Sequence, residues 1–246
     1  MDNFQTDMLS RRRRDALVLL LACAAGSVDA IGYLGLNHVF TANMTGNTVL
    51  LGVTLGQGRG LAAWSNITAL AGFGFGLLFG ALIVEHHGKA GVWDRRVTWA
   101  ISLEGFLLAA FTALWHLTPA EELRGSGLLY LLIIISAAAM GVQSAAVRRL
   151  NLPGVATTYV TGTLTSLIAG LAHKLHLAWS TPEGNSASAT PGIVRLQASV
   201  FAVYGASALL SGFFQTHAPA LVAVLPLLAV GVVLLLVSSV HIRQDA

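Results

Sequence analysis

The chain has 246 residues, of which 55% are hydrophobic and only 10% are charged. A soluble domain usually carries about 25% charged residues, so this composition excludes an ordinary soluble globular protein. The net charge of +3 is too small to indicate nucleic acid as a partner. The apolar residues form runs near the roughly 20 residues that cross a hydrocarbon core. We therefore predict an integral membrane protein whose first partner is the lipid bilayer.

Taken in chain order, the apolar runs predict six spanning helices. Residues 1–14, which include Arg11–Arg14, form a basic N-terminal tail that is typical of a cytoplasmic anchor. Two less regular stretches, Val39–Leu55 and Val155–Leu177, are richer in Thr, Gly and Asn. The range 181–192 is rich in Ser, Ala and Gly and predicts a flexible cytoplasmic linker. The predicted spans are Asp15–Leu36, Leu61–Val84, Val97–Leu117, Leu128–Val147, Val194–Phe214 and Leu221–Val240.

The two halves of the chain repeat one order of features, which predicts two related membrane repeats, 15–120 and 121–241. Each half has a small-residue stretch in an apolar helix, then a Leu-Asn pair, then a Thr-Gly motif. In the first half these are Ala24–Asp29, Leu36-Asn37 and Met44–Thr48. In the second half they are Ala138–Ser144, Leu150-Asn151 and Val160–Leu164.

The positive charges favour one topology, because Lys and Arg stay on the cytoplasmic side. If the two Thr-Gly segments dip into the membrane and return, only Arg59 and Arg124 of the 14 Lys and Arg residues lie outside. If both segments cross as ordinary polar spans, the residues outside become Lys89, Arg95, Arg96, Arg148 and Arg149. We therefore expect an all-α protein with six spans, two re-entrant or broken segments, and both termini in the cytoplasm. Three crossings per half predict inverted repeats, and two extra spans are the alternative.

Asp29 lies deep in the first span, where a carboxylate costs about 2.5–3.5 kcal/mol on insertion scales. Gly26 and Gly32 lie three residues to either side and share its helical face, so a neighbouring backbone can approach closely. Three interpretations stay open: a proton- or cation-coupling group, a contact to a helix N-terminus in the re-entrant segment, or a structural hydrogen-bonded acid. The second-half counterparts, Gln143 and Ser144, are uncharged, so the two halves do not act identically.

Further polar residues are candidates for a solute path. Glu104 is either a second proton-relay candidate at membrane depth or an interfacial residue. The Thr-Gly motifs offer neutral donors and acceptors, which suit a small polar solute near the midplane. The alternative is that they satisfy one another and the broken backbone. The motif residues are Asn43, Thr45, Gly46, Asn47 and Thr48, with Thr157, Thr158, Thr161, Gly162 and Thr163.

Other patterns point to packing, and none points to catalysis. Gly72, Gly76 and Gly80 are spaced four apart, as at a close helix–helix contact. The sequence has no nucleophile elbow, phosphate-binding Gly loop or His-Glu-x-x-His motif. We therefore expect no enzyme activity, no cofactor and no metal site.

Four sequence segments together resemble the YoaK-type family of bacterial membrane proteins. They are Gly26–Ala30, Phe40–Asn47 (which contains Asn-Met-Thr-Gly-Asn), Gly141–Ala145 and Thr157–Thr163. The resemblance extends from about Asp15 to Val240. It implies a multi-pass protein of the bacterial inner membrane with an unassigned function, and it supplies no substrate or catalytic residue. The second-half motif of the family often has Asn where this chain has Ser144, which implies a weaker polar contact there.

The residues favour a small-solute transporter or permease with inverted repeats. The solute would pass near the midplane between Thr45–Asn47 and Thr161–Thr163, and Asp29 and Glu104 are the candidates for handling a coupling proton. The alternative is a non-transporting membrane scaffold or sensor, which would have a dry, fully packed interior. A homo-oligomer is compatible with either function.

Overall fold

The computed structural model describes residues 2–85, 93–119, 123, 126–179 and 191–244, and every regular element in this part is an α-helix. The predicted all-α fold is therefore confirmed. The helices in these ranges are α1 Asp2–Gly35, α2 Met44–Gly56, α3 Gly60–Val84, α4 Arg95–Leu117, α5 Gly127–Arg149, α6 Val160–Trp179, α7 Pro191–His217, α8 Pro219–Val222 and α9 Val224–Gln244.

Among the described residues, six helical segments are long and apolar enough to cross a membrane, which matches the six predicted spanning helices. They are Arg11–Gly35, Gly60–Val84, Arg95–Leu117, Gly127–Arg149, Gly192–His217 and Pro219–Ser238. The last of these contains α8 and α9, which are separated only by a turn at Ala223. Helix α1 begins at Asp2, so the basic N-terminal segment continues the first span as helix.

The two irregular stretches form the helices α2 and α6, each preceded by a non-helical segment. Helix α2 has 13 residues and is therefore about 20 Å long at 1.5 Å per residue. This is too short to cross a hydrocarbon core of about 30 Å. Helix α6 has 20 residues, a length that fits both interpretations of the second segment. The re-entrant topology and the inverted orientation of the halves stay predictions.

Helices α1 and α5, the first of each half, form the centre of the bundle. Within their apolar windows 67% and 61% of the residues are buried, against 28% in α3 and in α7. Helix α3 packs along α5, and α7 packs along α1. The predicted packing glycines lie in the first of these contacts: a Cβ on Gly72 would come within 2.9 Å of the Ile134 carbonyl oxygen, and one on Gly80 within 2.9 Å of Val142 Cα.

Each central helix ends in the same way. The Leu-Asn pairs follow α1 and α5 directly, and both asparagines adopt the left-handed conformation, with φ of 62° at Asn37 and 48° at Asn151. Asparagine tolerates this conformation at the end of a helix. The chain therefore reverses after each central helix and runs back along it. Most of the predicted 181–192 linker and the 120/121 boundary between the repeats lie outside the described residues, whereas Pro191 and Gly192 belong to α7.

Candidate functional site

Asp29 binds the start of the first short helix. Its Oδ1 atom accepts hydrogen bonds from the backbone N–H groups of Thr41 at 2.8 Å, Ala42 at 2.6 Å and Asn43 at 3.2 Å. Asn43 is the N-cap of α2, where N–H groups lack partners in the helix and the helix dipole is positive. Of the three interpretations of Asp29, this geometry is that of the helix-terminus contact. A coupling role for Asp29 stays a prediction.

The glycines on either side of Asp29 bring two different backbones to it. A Cβ on Gly32 would lie 2.6 Å from the Val39 carbonyl oxygen, so a side chain there would push the returning segment away from α1. A Cβ on Gly26 would collide with the Tyr204 carbonyl of α7. Tyr204 also donates its hydroxyl hydrogen to Asp29 Oδ2. Asp29 therefore joins α1, the returning segment and α7.

Asn47 holds the returning segment at its other side. Its Oδ1 atom accepts from the Phe40 N–H at 2.8 Å, and its amide group donates to the Phe40 carbonyl. Asn43 Oδ1 accepts from the Gly46 N–H at 3.3 Å, which is an N-cap hydrogen bond. A Cβ on Gly46 would lie 2.8 Å from the Phe40 ring. Asn43, Gly46 and Asn47 thus form contacts within the broken backbone, and their place on a solute path stays a prediction.

The second half has the same arrangement, with the hydroxyl of Thr163 in place of the Asn47 amide. Thr163 Oγ1 lies 3.1 Å from both the N and the O of Ala156, at the same separation of seven residues as Asn47 and Phe40. A Cβ on Gly162 would collide with the Tyr159 ring. The remaining motif threonines, Thr48 and Thr161, are exposed, and Thr48 bonds to the Met44 carbonyl of its own helix.

Gln143 and Ser144, the predicted counterparts of Asp29, also contact the segment that precedes α6. Gln143 Nε2 donates to Thr157 Oγ1 at 2.7 Å and to the Leu21 carbonyl of α1 at 3.1 Å. The hydroxyl of Ser144 bonds to that of Thr158. These contacts are between side chains, whereas Asp29 binds backbone N–H groups.

Because Gln143 and Ser144 bind side chains, the three backbone N–H groups directly before α6 have no acceptor among the described residues. The matched separations of Asn47–Phe40 and Thr163–Ala156 place Thr157, Thr158 and Tyr159 at the positions of Thr41, Ala42 and Asn43. Across the described part of the chain, the N–H groups of Thr157, Thr158 and Tyr159 make no hydrogen bond.

These three residues line a cavity of about 550 Å³. Thr45 of the first Thr-Gly motif and Ser144 also line it, so the cavity brings groups of both halves together. Its other lining residues are Ala42, Met44, Phe73, Leu77, Val147, Arg148, Asn151, Leu152, Val155 and Ala156. We call this space the inner cavity, because the charge pattern predicts a cytoplasmic position for the end of α5 that contains Arg148.

A second cavity, of about 800 Å³, lies at the other end of the bundle. Its lining includes Asn37, His38, His116, Tyr130 and Gln215, and it shares no lining residue with the inner cavity. We call it the outer cavity.

A packed layer separates the two cavities. Along α5 the layer contains Ser136, which lies between the outer-cavity residue Leu132 and the inner-cavity residue Ser144. Ser136 donates to Thr41 Oγ1 at 3.1 Å. Thr41 is fully buried and Asp29 is 3% exposed, so the polar contacts of Asp29 belong to this closed layer.

Glu104 lies within α4 and is fully buried, which places it inside the bundle rather than at its surface. Neither of its carboxylate oxygens has a hydrogen-bond partner among the described residues. It does not line either cavity. Glu104 is therefore separate from the site around Asp29.

The sequence analysis does not single out three residues of this site. Tyr204 and Ser136 lie within predicted apolar spans, and Arg148 enters the prediction only through the topology. A hydroxyl within an apolar span is the signal that could have drawn attention to Tyr204. Among the described residues, no group of three or more His, Cys, Asp or Glu side chains could hold a metal ion.

Comparisons with known proteins agree with a membrane fold. Residues 17–238 match the model of a family described as "Protein of unknown function (DUF1275)". The chain is 40% identical over 170 residues to the "UPF0700 transmembrane protein YoaK" of Bacillus subtilis (strain 168), an alignment that covers 68% of this chain and 72% of that protein. No solved structure matches.

Proposed function

Since this chain belongs to the DUF1275 family of YoaK-type membrane proteins, we propose from its geometry that it is a small-solute transporter or permease of a bacterial inner membrane. The observation that carries the proposal is the inner cavity, which Thr45 of one motif and Thr157 and Thr158 of the other line together. Substrate sites of many transporters lie in this way between two repeats, at the start of discontinuous helices.

The two cavities support transport over a static role. They approach one packed layer from opposite ends of the bundle, and neither passes through it. A site that opens to one side at a time needs such a layer, since alternating access closes one path before it opens the other. A scaffold or sensor, the alternative function, would need neither cavity.

The packing of the halves is what an inverted pair of repeats would produce. Helix α1 contacts α7 where Gly26 faces the Tyr204 carbonyl, and α5 contacts α3 where Gly141 faces the Phe73 carbonyl. Each central helix thus packs on the third helix of the other half. In transporters of this kind one unit moves against the other around a fixed site.

Transport can be tested with single cysteines. Cys23 is the one cysteine of the chain, and Cys23→Ala gives a background without thiols. The solute is first identified by comparing the metabolites of deletion and overexpressing cells. In the background without thiols, Thr158→Cys should react with a small thiol reagent. This reaction should block the uptake of the solute. Thr165→Cys, on an exposed face of α6 outside the cavity, is the matched control. Full uptake after complete labelling of Thr158→Cys would contradict a path through the inner cavity.

Cysteine labelling also tests the topology. Single cysteines at Gln57 and at Asn151 should react with a membrane-impermeant reagent from opposite sides of the membrane. Gln57 is expected outside and Asn151 in the cytoplasm. Labelling of both from one side would exclude the inverted arrangement while leaving the cavity unaffected.

A further inference from the structure

We propose that the inner cavity binds a small carboxylate, whose anionic group occupies at the start of α6 the position that the Asp29 side chain occupies at the start of α2. The inference rests on the proposed function in so far as this carboxylate would be the solute carried.

The first half shows how the motif holds an anion. One oxygen of Asp29 accepts three successive backbone N–H groups, from Thr41 to Asn43, and the other accepts the Tyr204 hydroxyl. Backbone N–H groups at a helix start bind anions because they point at the ligand and because the helix dipole is positive there. The carboxylate in this half is built into α1, so this site is already filled.

The second half has the same backbone without the carboxylate. Thr163 fixes Ala156 as Asn47 fixes Phe40, so the segment from Thr157 to Tyr159 begins α6 as Thr41–Asn43 begins α2. Its three N–H groups have no acceptor in the described part of the chain. Unpaired N–H groups inside a protein are costly, and a bound carboxylate would satisfy them.

The residues around this segment leave space for a ligand, whereas those around Thr41–Asn43 in the first half do not. Ser144 stands where Asp29 stands in the first half, and it is shorter and uncharged. Phe73 faces Gly141 as Tyr204 faces Gly26, so no hydroxyl from the third helix fills the space. The cavity lies here in the second half, where the first half has the Asp29–Tyr204 pair.

The charge of the lining selects an anion. Arg148 is the single charged residue among those that line the cavity, and it lies one helical turn from Ser144, on the same face of α5. The hydroxyl groups of Ser144 and Thr158 add donors. Arginine pairs with carboxylates through charge-assisted hydrogen bonds.

The rest of the lining selects an organic acid over an inorganic anion. Phe73, Leu77, Leu152 and Val155 line the same cavity and can contact a hydrocarbon portion. Because a lipid phosphate carries a similar anionic group, the experiment must separate a free carboxylate from a headgroup.

The test is equilibrium binding to the purified full chain by calorimetry. The ligands are acetate, lactate and succinate, with acetamide and lactamide as neutral isosteres and inorganic phosphate as a second anion. At least one carboxylate should bind, and its amide should bind at least about tenfold more weakly, as expected for the loss of charge-assisted hydrogen bonds. The affinity should be the same in nanodiscs of phosphatidylcholine and of phosphatidylglycerol.

Two variants locate the site. Arg148→Gln should weaken binding at least about tenfold, whereas Arg95→Gln, at the start of α4 and away from the cavity, should not change it. Ser144→Asp should abolish binding while the protein keeps or raises its melting temperature, because the new carboxylate would occupy the free N–H groups itself. This variant directly tests whether position 144 corresponds to position 29 of the first half.

Several outcomes would overturn the inference. They are a lack of binding by all three carboxylates, binding of phosphate alone, loss of binding in phosphatidylglycerol, and unchanged binding by a folded Ser144→Asp protein. Its failure is distinguishable from that of transport. Carboxylate binding without uptake would refute the transporter and leave the site, while uptake of another solute without any carboxylate binding would leave the transporter and refute the site.

Discussion

Gly76 lies directly against the backbone of Ala138, at the point where α3 crosses α5. A Cβ built on Gly76 would overlap the carbonyl oxygen of Ala138 and approach its Cα within 2.6 Å. The contact involves backbone atoms, so no side chain can rotate away to make room. The small residues at this crossing therefore set the distance between the two halves of the bundle.

We accordingly predict that Gly76→Ala separates α3 from α5. Overpacking of this kind costs about 1–3 kcal/mol, and the melting temperature of the purified protein in detergent should fall. Gly74→Ala is the matched control on the same helix, since a Cβ at Gly74 meets nothing within 4 Å. That variant should be neutral, or stabilised by about 0.5–1 kcal/mol through reduced backbone freedom. Equal melting temperatures for the two variants would contradict the predicted role of this contact.

The Asp29 carboxylate should contribute strongly to stability. Asp29→Asn keeps one acceptor oxygen but removes the charge that three backbone N–H groups share, and hydrogen bonds to charged groups contribute about 1.5–3 kcal/mol. We expect a clear loss of melting temperature. Asp15→Asn, near the basic end of the same helix, should have little effect because the Arg14–Asp15 pair is only partly buried and such pairs contribute about 0–1 kcal/mol.

Tyr204 should act through Asp29 and not independently. Tyr204→Phe removes the hydroxyl and leaves the ring, so it should destabilise the wild-type protein less than Asp29→Asn does. In an Asp29→Asn background the same change should cost less, so the two effects should be less than additive in a double-mutant cycle. Fully additive effects would show that the hydroxyl contributes through some other contact.

The sequence predicts contacts between residues that are close together in the chain better than contacts between residues that are far apart in it. The six spans follow from long apolar runs, because the bilayer fixes their length. The helix-terminus contact of Asp29 was one of three interpretations, and it joins residues only 12 to 14 positions apart. Such a contact can be predicted from the sequence, because a chain that reverses at Asn37 brings these residues close together.

The Tyr204–Asp29 pair was not predictable, since 175 positions separate the two residues. The Gln143–Leu21 contact spans 122 positions and was missed for the same reason. Both depend on which helices become neighbours across the two halves. Apolar patterns show that a helix is buried in the membrane but do not select its partner, because lipid and protein interiors are equally apolar.

Asn47 and Thr163 should fix the two broken segments in the same way. Asn47→Ala would leave the N–H and carbonyl groups of Phe40 without partners, at about 1–3 kcal/mol for each buried group left unpaired. Thr163→Val removes one hydroxyl at nearly constant volume and should cost less. The exposed residues Thr48 and Thr161 supply controls, and Thr48→Ala and Thr161→Val should leave the melting temperature nearly unchanged. A similar loss in the controls would indicate a general effect of threonine replacement in these helices.

Variants of Glu104 should show whether this buried acid has a functional or a structural role. A carboxyl group that is fully buried without a hydrogen-bond partner in the described structure is unfavourable for folding. Glu104→Gln and Glu104→Met should therefore leave stability unchanged or increase it. If Glu104 handles a coupling proton, as its position at membrane depth suggests, the same variants should lose uptake that is driven by a pH gradient.

The measurement is solute uptake into proteoliposomes, with and without an imposed pH gradient, alongside the melting temperature. Stable variants with gradient-independent uptake would assign the coupling role to Glu104, and Asp29 would then be a fixed part of the closed layer. Asp29 is held by four hydrogen-bond donors, whereas Glu104 has none among the described residues, so Glu104 is the acid that can change its protonation without breaking the contacts around α2. Stable Glu104 variants with unchanged, gradient-driven uptake would exclude this role.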